Sequence, residues 1–409
     1  DCYRKVQLAE KEREMKLTEE TPFFFIYSVW TKNGEYREQV KRLVTDYDNY
    51  ISLKLAGDDA YLSEKMVGYP AELDEVYAEN FEEQKKEWFS CVGDGIQECR
   101  NTWEHKKWNI TDFPEFELAI TIDRPELYYD FLQKDWTRFC HDYWKNNFLE
   151  HHTLSQKRVT RIYIGNQFCH NLFPRKELLF QVLEKALENN LAVTLAFSYI
   201  RNHLLEEIDE LLQELEVWCQ SREKEAGKDQ EEIIVNDWAM PILLQGKPHL
   251  KPVLGVLLNK RRKDVRLPYK HGIGNHVDSL AENNLNCGFY QDYLKNTFDI
   301  QRFEFESCGY KVTIPDGHHS LHLPFFQTNT SQYCTLYAVC RYGDRGKQKL
   351  PENCPRYCNK KVFLYPKHLK MVGRYNSLFG YDEKILWDEK QLQDYLEQGI
   401  DRIVVNVSL

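Results

Sequence analysis

The chain has 409 residues, too many for one typical domain, and divides naturally into one barrel-sized unit of roughly 250 to 300 residues and a smaller partner. Its 64 acidic and 54 basic side chains leave a formal charge of −10, which excludes generic nucleic-acid binding, because attraction to phosphate needs a basic surface. No apolar run approaches the roughly 18 residues of a membrane span, and the start, DCYRKVQLAEKERE, has neither a signal-peptide core nor an initiating Met, so a trimmed cytoplasmic protein is expected.

Residues 1–114 read as a mainly helical N-terminal extension. QLAEKEREMKLTEE, EYREQVKRLVTDYDNYISLKL and ELDEVYAENFEEQKKEWFSCV carry apolar residues at helical spacing, and a polar stretch around NTWEHKKWNITDFP ends the segment at Pro114. From residue 117 the pattern changes to short β-rich runs alternating with amphipathic helices, the signature of an α/β fold with a largely parallel sheet. Strands are expected at 117–122, 160–165, 191–198, 232–236, 252–258, 301–305, 319–325 and 402–407. Eight such runs predict a (β/α)8-type barrel over 115–409. An extra strand read at 362–365 makes a distorted barrel an equal expectation. Between the second and third strands, PRKELLFQVLEKALENN shows one apolar stripe behind Pro174 and predicts a helix.

Chemistry in such a barrel collects where the C-terminal ends of the strands converge. Asn236 and Asp237 end the strand IIVND, and Lys260 and Arg261 follow PVLGVLL. These two pairs are candidate substrate-binding residues, with Asp237 a candidate acid or base. Arginine suits bidentate binding of a carboxylate or phosphate, which makes Arg261, and Arg374 in GRYNSLFGYD, candidate anion clamps. In DGHHSLHLPFF, His318 and His322 share one strand face, expected to point inward, and are candidate catalytic or lining residues. No dinucleotide fingerprint, P-loop, serine triad or metalloprotease motif is present.

Twelve cysteines in a cytoplasmic chain of this size point to thiols and metal rather than disulfides. Cys340, Cys354 and Cys358 stand as Cys-x13-Cys-x3-Cys, and Cys169, at the end of an expected strand, is the best fourth ligand. Cys334 lies six residues before Cys340 and competes for a place, but on a helix those two point apart. Four thiolates would hold a [4Fe-4S] cluster or, alternatively, a zinc ion.

These segments resemble the collagenase-like peptidase family, in the branch that includes the anaerobic ubiquinone-hydroxylation accessory proteins. That branch carries Ile-Tyr-x-Gly-x-x-x-Cys after an early barrel strand, here Ile162, Tyr163, Ile164, Gly165 and Cys169. Its later Cys-x12-Cys-x3-Cys is matched by Cys340, Cys354 and Cys358 with one extra residue in the first gap. Looser likenesses link FELAITIDRPELYYDFL, IIVND and DRIVVNVSL to its first, middle and closing strands, so the resemblance covers residues 115–409. It implies iron and sulfur in place of zinc, and oxygen-independent hydroxylation of a small aromatic or otherwise polar substrate. The alternative is a non-catalytic iron-sulfur subunit or electron-transfer partner, paired with another protein or a homologous subunit. A peptidase acting on a presented peptide ranks third, because no nucleophile chemistry supports it. A deep polar pocket beside the cluster would favour catalysis, and a plugged barrel mouth the partner role.

Overall fold

The computed structural model describes residues 13–20, 25–38, 77–78 and 113–407, apart from 227–230, 264, 266–280, 345, 348, 352, 365–369 and 383. Strands β1 (Arg13–Glu20) and β2 (Phe25–Thr31) form an antiparallel hairpin in which Met15 faces Val29. Strand β3 is Tyr77–Ala78. The body follows as β4 (Glu117–Ile122), α1 (Pro125–Gln133), α2 (Trp136–Asn146), α3 (Thr153–Gln156), β5 (Arg161–Gly165), α4 (Lys176–Glu188), β6 (Ala192–Ala196), α5 (Leu205–Ala226), β7 (Glu231–Val235), α6 (Met240–Leu243) and β8 (Leu250–Leu254). After these come α7 (Gly288–Phe298), β9 (Glu304–Glu306), β10 (His319–Leu323), β11 (Phe325–Thr330), α8 (Thr335–Tyr342), β12 (Val362–Leu364), β13 (Met371–Arg374), β14 (Ser377–Tyr381), α9 (Glu389–Glu397) and β15 (Ile400–Val405).

Eight parallel strands run in the order β8-β7-β6-β5-β4-β15-β10-β9. The edges β8 and β9 meet through a parallel bridge from Leu254 to Phe303, with Leu254 N donating to Arg302 O at 3.0 Å, so the sheet is a nearly closed (β/α)8-type barrel. Its alternation explains the apolar runs. Leu118, Ile120, Ile162, Val193 and Ile403 pack outward against the helices, while Ala119, Tyr163, Ala196, Ile234, Val253 and Val404 form a separate inner cluster. The stripe read on α4 is the buried one: Leu179, Val182, Leu183 and Ala186. No helix among the described residues is long and apolar enough to cross a membrane.

The barrel axis is filled with paired charge. Arg402 reaches Glu232 (2.6 and 3.1 Å), Glu117 (2.6 Å) and the Tyr163 hydroxyl (3.2 Å), and Arg161 reaches Glu117 (3.0 Å) and Glu232 (3.3 Å). Burial alone would raise the Glu232 carboxyl, but Arg161 and Arg402 outweigh it and hold it at about 2. Buried ions persist when each finds a partner, and this interior is a packed core rather than a channel.

A second, antiparallel sheet has the order β11-β14-β13-β12-β3, and four of its strands, β11 to β14, are inserted between β10 and β15. The extra strand read at 362–365 is present as β12, in this sheet and not in the barrel. The sheet lies over the C-terminal mouth. Phe168, in the loop after β5, packs edge-on against Phe379 with centroids 4.8 Å apart. Asn376 Nδ2 donates to the Tyr199 hydroxyl (2.9 Å), and Gln327 N donates to Glu306 Oε1 (2.7 Å).

The helical reading of the extension is corrected in two places. Within QLAEKEREMKLTEE, Arg13–Glu20 is strand, because cross-strand pairing with the aromatic, β-branched FIYSVWT outweighs the helical propensity of its charged residues. Tyr77–Ala78, read within a helix, pairs antiparallel with Val362 and Phe363, so the extension contributes an edge strand to the capping sheet. Residues 34–38 are helical. The rest of the three predicted helices, and most of the polar stretch around residues 101–112, fall outside the described residues.

Candidate functional site

The loop after β5 is shaped by two residues. Gly165 has φ of +108°, and a Cβ there would stand 2.6 Å from Ala196 O and 2.7 Å from the Phe173 ring, so only glycine lets the strand turn so sharply. Asn166 Oδ1 then accepts from both Phe168 N and Cys169 N at 2.9 Å, which fixes the turn and presents Cys169.

Cys169, Cys334, Cys354 and Cys358 line one small cavity, together with Leu172, Leu336, Tyr337, Tyr357 and Tyr375. Three of the four expected ligands are therefore brought together. Cys340 does not line this cavity, and Cys334 stands in its place. Helix geometry supplies the reason. Cys334 caps α8, its sulfur accepting from Tyr337 N (3.3 Å) and donating to Tyr375 O (3.0 Å). Cys340 lies six residues on, rotated by about 240° and raised by about 9 Å along the helix. The two cysteines therefore stand on different sides of the helix, and Cys334 is the one that lines this cavity.

Cys354 and Cys358 sit on a loop whose Arg356 adopts φ of +53° before the 3-10 turn Tyr357–Asn359. Asn359 Nδ2 anchors that turn to Glu126 on α1 (2.7 Å), and Arg374 Nε donates to Cys358 O (3.0 Å). Arg374 is thus beside Cys358. Burial, reinforced by the neighbouring sulfurs, pushes the Cys169 thiol well up and takes Cys334 to about 12. Burial also takes Cys358 to about 11, against the pull of Arg374. Among the described residues the buried Tyr375 hydroxyl has no hydrogen-bond partner.

Four thiols and an unsatisfied hydroxyl donor suit a group rich in sulfur acceptors, and the thiol set alone also suits zinc. Among the described residues, no three His, Cys, Asp or Glu side chains stand as a ready ligand set for a single ion. A group using these four thiols would have to fill the space between them.

The other predicted residues do not converge. Asp237 Oδ1 accepts from Ala239 N and Met240 N (both 3.0 Å), and Oδ2 accepts from Ile200 N, so backbone amides hold a carboxylate expected to exchange protons. Asn236 is buried as a tie across the mouth, donating to Phe197 O (2.7 Å) and Gln167 Oε1 (3.3 Å) and accepting from Leu257 N (3.1 Å). Arg261 turns inward to Cys308 Sγ (2.8 Å) and Glu306 O, while Lys260 is exposed. His322 does face inward, bound to Glu304 at 2.5 Å, but inside the filled axis. His318 is 82% exposed and pairs with Asp401 (3.0 Å), at the start of β15, so it belongs to the opposite end of the barrel. Strand alternation was read correctly there. The strand starts at His319, which leaves His318 outside it.

Two features went unread. Lys263, from the basic run after β8, is buried against Glu306 at 2.5 Å beneath the capping sheet. A cleft of about 900 Å³ opens between the loop after β5, the first turns of α5 and the loop carrying Cys354, and shares Asn171, Cys354 and Arg356 with the thiol cavity. No sequence signal marked it, because its walls come from three distant segments. The chain matches no family model, no curated protein and no solved structure.

Proposed function

We propose that Cys169, Cys334, Cys354 and Cys358 hold a [4Fe-4S] cluster, and that the protein is an iron-sulfur enzyme resembling the oxygen-independent hydroxylases of the collagenase-like peptidase family. The observation that carries this reading is the meeting of four thiols from three distant segments on one cavity at the end of a barrel strand. When bound, the cluster supplies one-electron chemistry at a potential set by its charge, burial and hydrogen bonds. The chain's own groups would do the rest. Arg374 offsets negative charge beside Cys358, and Tyr375 lines the cavity, its carbonyl accepting from the Cys334 thiol.

The non-catalytic reading keeps one specific support, since the barrel axis is filled and its mouth lies beneath a sheet. The cleft beside Cys354 favours catalysis instead, because it gives a small molecule a route to the cluster's edge without entering the mouth. Anaerobic purification with absorption and electron paramagnetic resonance before and after reduction tests the cluster. A reducible iron-sulfur signal is expected, and a colourless protein carrying one zinc and no sulfide contradicts it.

A further inference from the structure

The cleft that adjoins the thiol cavity has two ends of opposite electrostatic character. At the thiol end stand Arg356, Asn171 and His170. Among the described residues, the Arg356 guanidinium makes no ion pair. At the far end Arg175 and Lys176 face Glu207, Glu210 and Glu214, with Lys176 paired to Glu214 at 2.9 Å. Arg356 therefore places a cation at the inner end, and carboxylates outnumber cations at the outer one. The apolar part of the lining is formed by the stacked rings of Phe173 and Phe197 (4.3 Å apart) with Ile208, Leu211 and Leu350.

We infer that this cleft binds a small organic carboxylate, its acid group on Arg356 and Asn171 beside Cys354 and its apolar body along Phe173, Phe197 and Leu350. A volume of about 900 Å³ lies within the range of small-molecule sites, and a mixed lining of apolar rings and charged groups suits a ligand with one apolar and one charged part. The carboxylates at the outer end disfavour a second negative charge, which argues against nucleotides and other polyanions. Arginine favours the acid over a neutral analogue because its guanidinium matches a carboxylate in charge and shape. The inference concerns binding and does not depend on the cluster.

The test titrates naphthoate, and its neutral counterpart naphthyl methanol, into the full chain by calorimetry, in protein with and without reconstituted iron and sulfide. Saturable naphthoate binding is expected in both preparations, with naphthyl methanol weaker by about tenfold or more. Arg356→Asn, chosen because asparagine tolerates the left-handed backbone there, should weaken naphthoate by a similar factor. Leu350→Glu, at an exposed position, should do the same through repulsion. Absence of saturable binding by folded wild-type protein, equal affinity for the acid and the alcohol, or unchanged affinity in both variants overturns the inference. A failure to load iron with naphthoate binding intact overturns the cluster reading alone.

Discussion

At the residue scale, buried histidines set the acid limit of the fold. His152 Nδ1 accepts from Leu154 N (3.1 Å) and its Nε2 lies 2.6 Å from Leu386 O, so the ring is neutral with its proton on Nε2. Burial holds it down to about 4, against roughly 6.5 in an unfolded chain. The unfolded state takes up a proton below about pH 6.5 that the folded state refuses until near pH 4. The folded pKa being the lower one, stability is full above that window and falls as pH drops through it, by about 3 kcal/mol from this group. His319, also buried and held near 4, adds to the same slope. Urea unfolding at steps from pH 7 to pH 4 should show the loss, and His152→Gln should flatten part of it. A wild-type stability that does not change between pH 6.5 and 4 would contradict the assignment. Gly165→Ala should cost at least about 2 kcal/mol, since the added methyl meets both a left-handed backbone and Ala196 O. An unchanged denaturation midpoint would remove the sharp turn as the reason glycine stands there.

At the scale of elements, the barrel strands were legible where parallel strands covered on both faces leave short apolar runs, as LAITI in β4 and IVV in β15 do. The capping sheet was largely not legible. Its strands FFQTNT, MVGR and SLFGY are short, half polar and paired by hairpins, so no single run stands out, and only β12 gave a signal. The hairpin β1–β2 was misread for a different reason, since REMKLTEE has the composition of a helix and takes strand geometry from its partner. The capping sheet also positions the site. Phe379, 1% exposed, presses on Phe168 next to Cys169. Phe379→Ala should cost about 3 to 5 kcal/mol and speed the alkylation of Cys169 by a thiol reagent in the cluster-free protein. Unchanged alkylation despite the lost stability would show that the loop is held by Asn166 alone.

At the scale of the whole molecule, the site is a product of topology. Cys169 arrives from the second barrel strand, and Cys334, Cys354 and Cys358 from the insertion between the seventh and eighth, so sequence spacing alone could not decide which member of the Cys334 and Cys340 pair faces the cavity. The helix cap at Cys334 decides it. The same topology explains why the predicted mouth residues became structural. Once the antiparallel sheet covers the mouth, Asn236 and Asp237 are spent on backbone amides and carbonyls, and access shifts outward to the cleft beside Cys354.

The most direct measurement compares iron and acid-labile sulfide in anaerobically purified wild type, Cys334→Ala and Cys340→Ala. Wild type and Cys340→Ala should carry iron and sulfide in matching amounts, and Cys334→Ala should lose most of both. Retention of the cluster by Cys334→Ala with loss in Cys340→Ala, or a wild-type protein that binds only zinc, would contradict the four-thiol site.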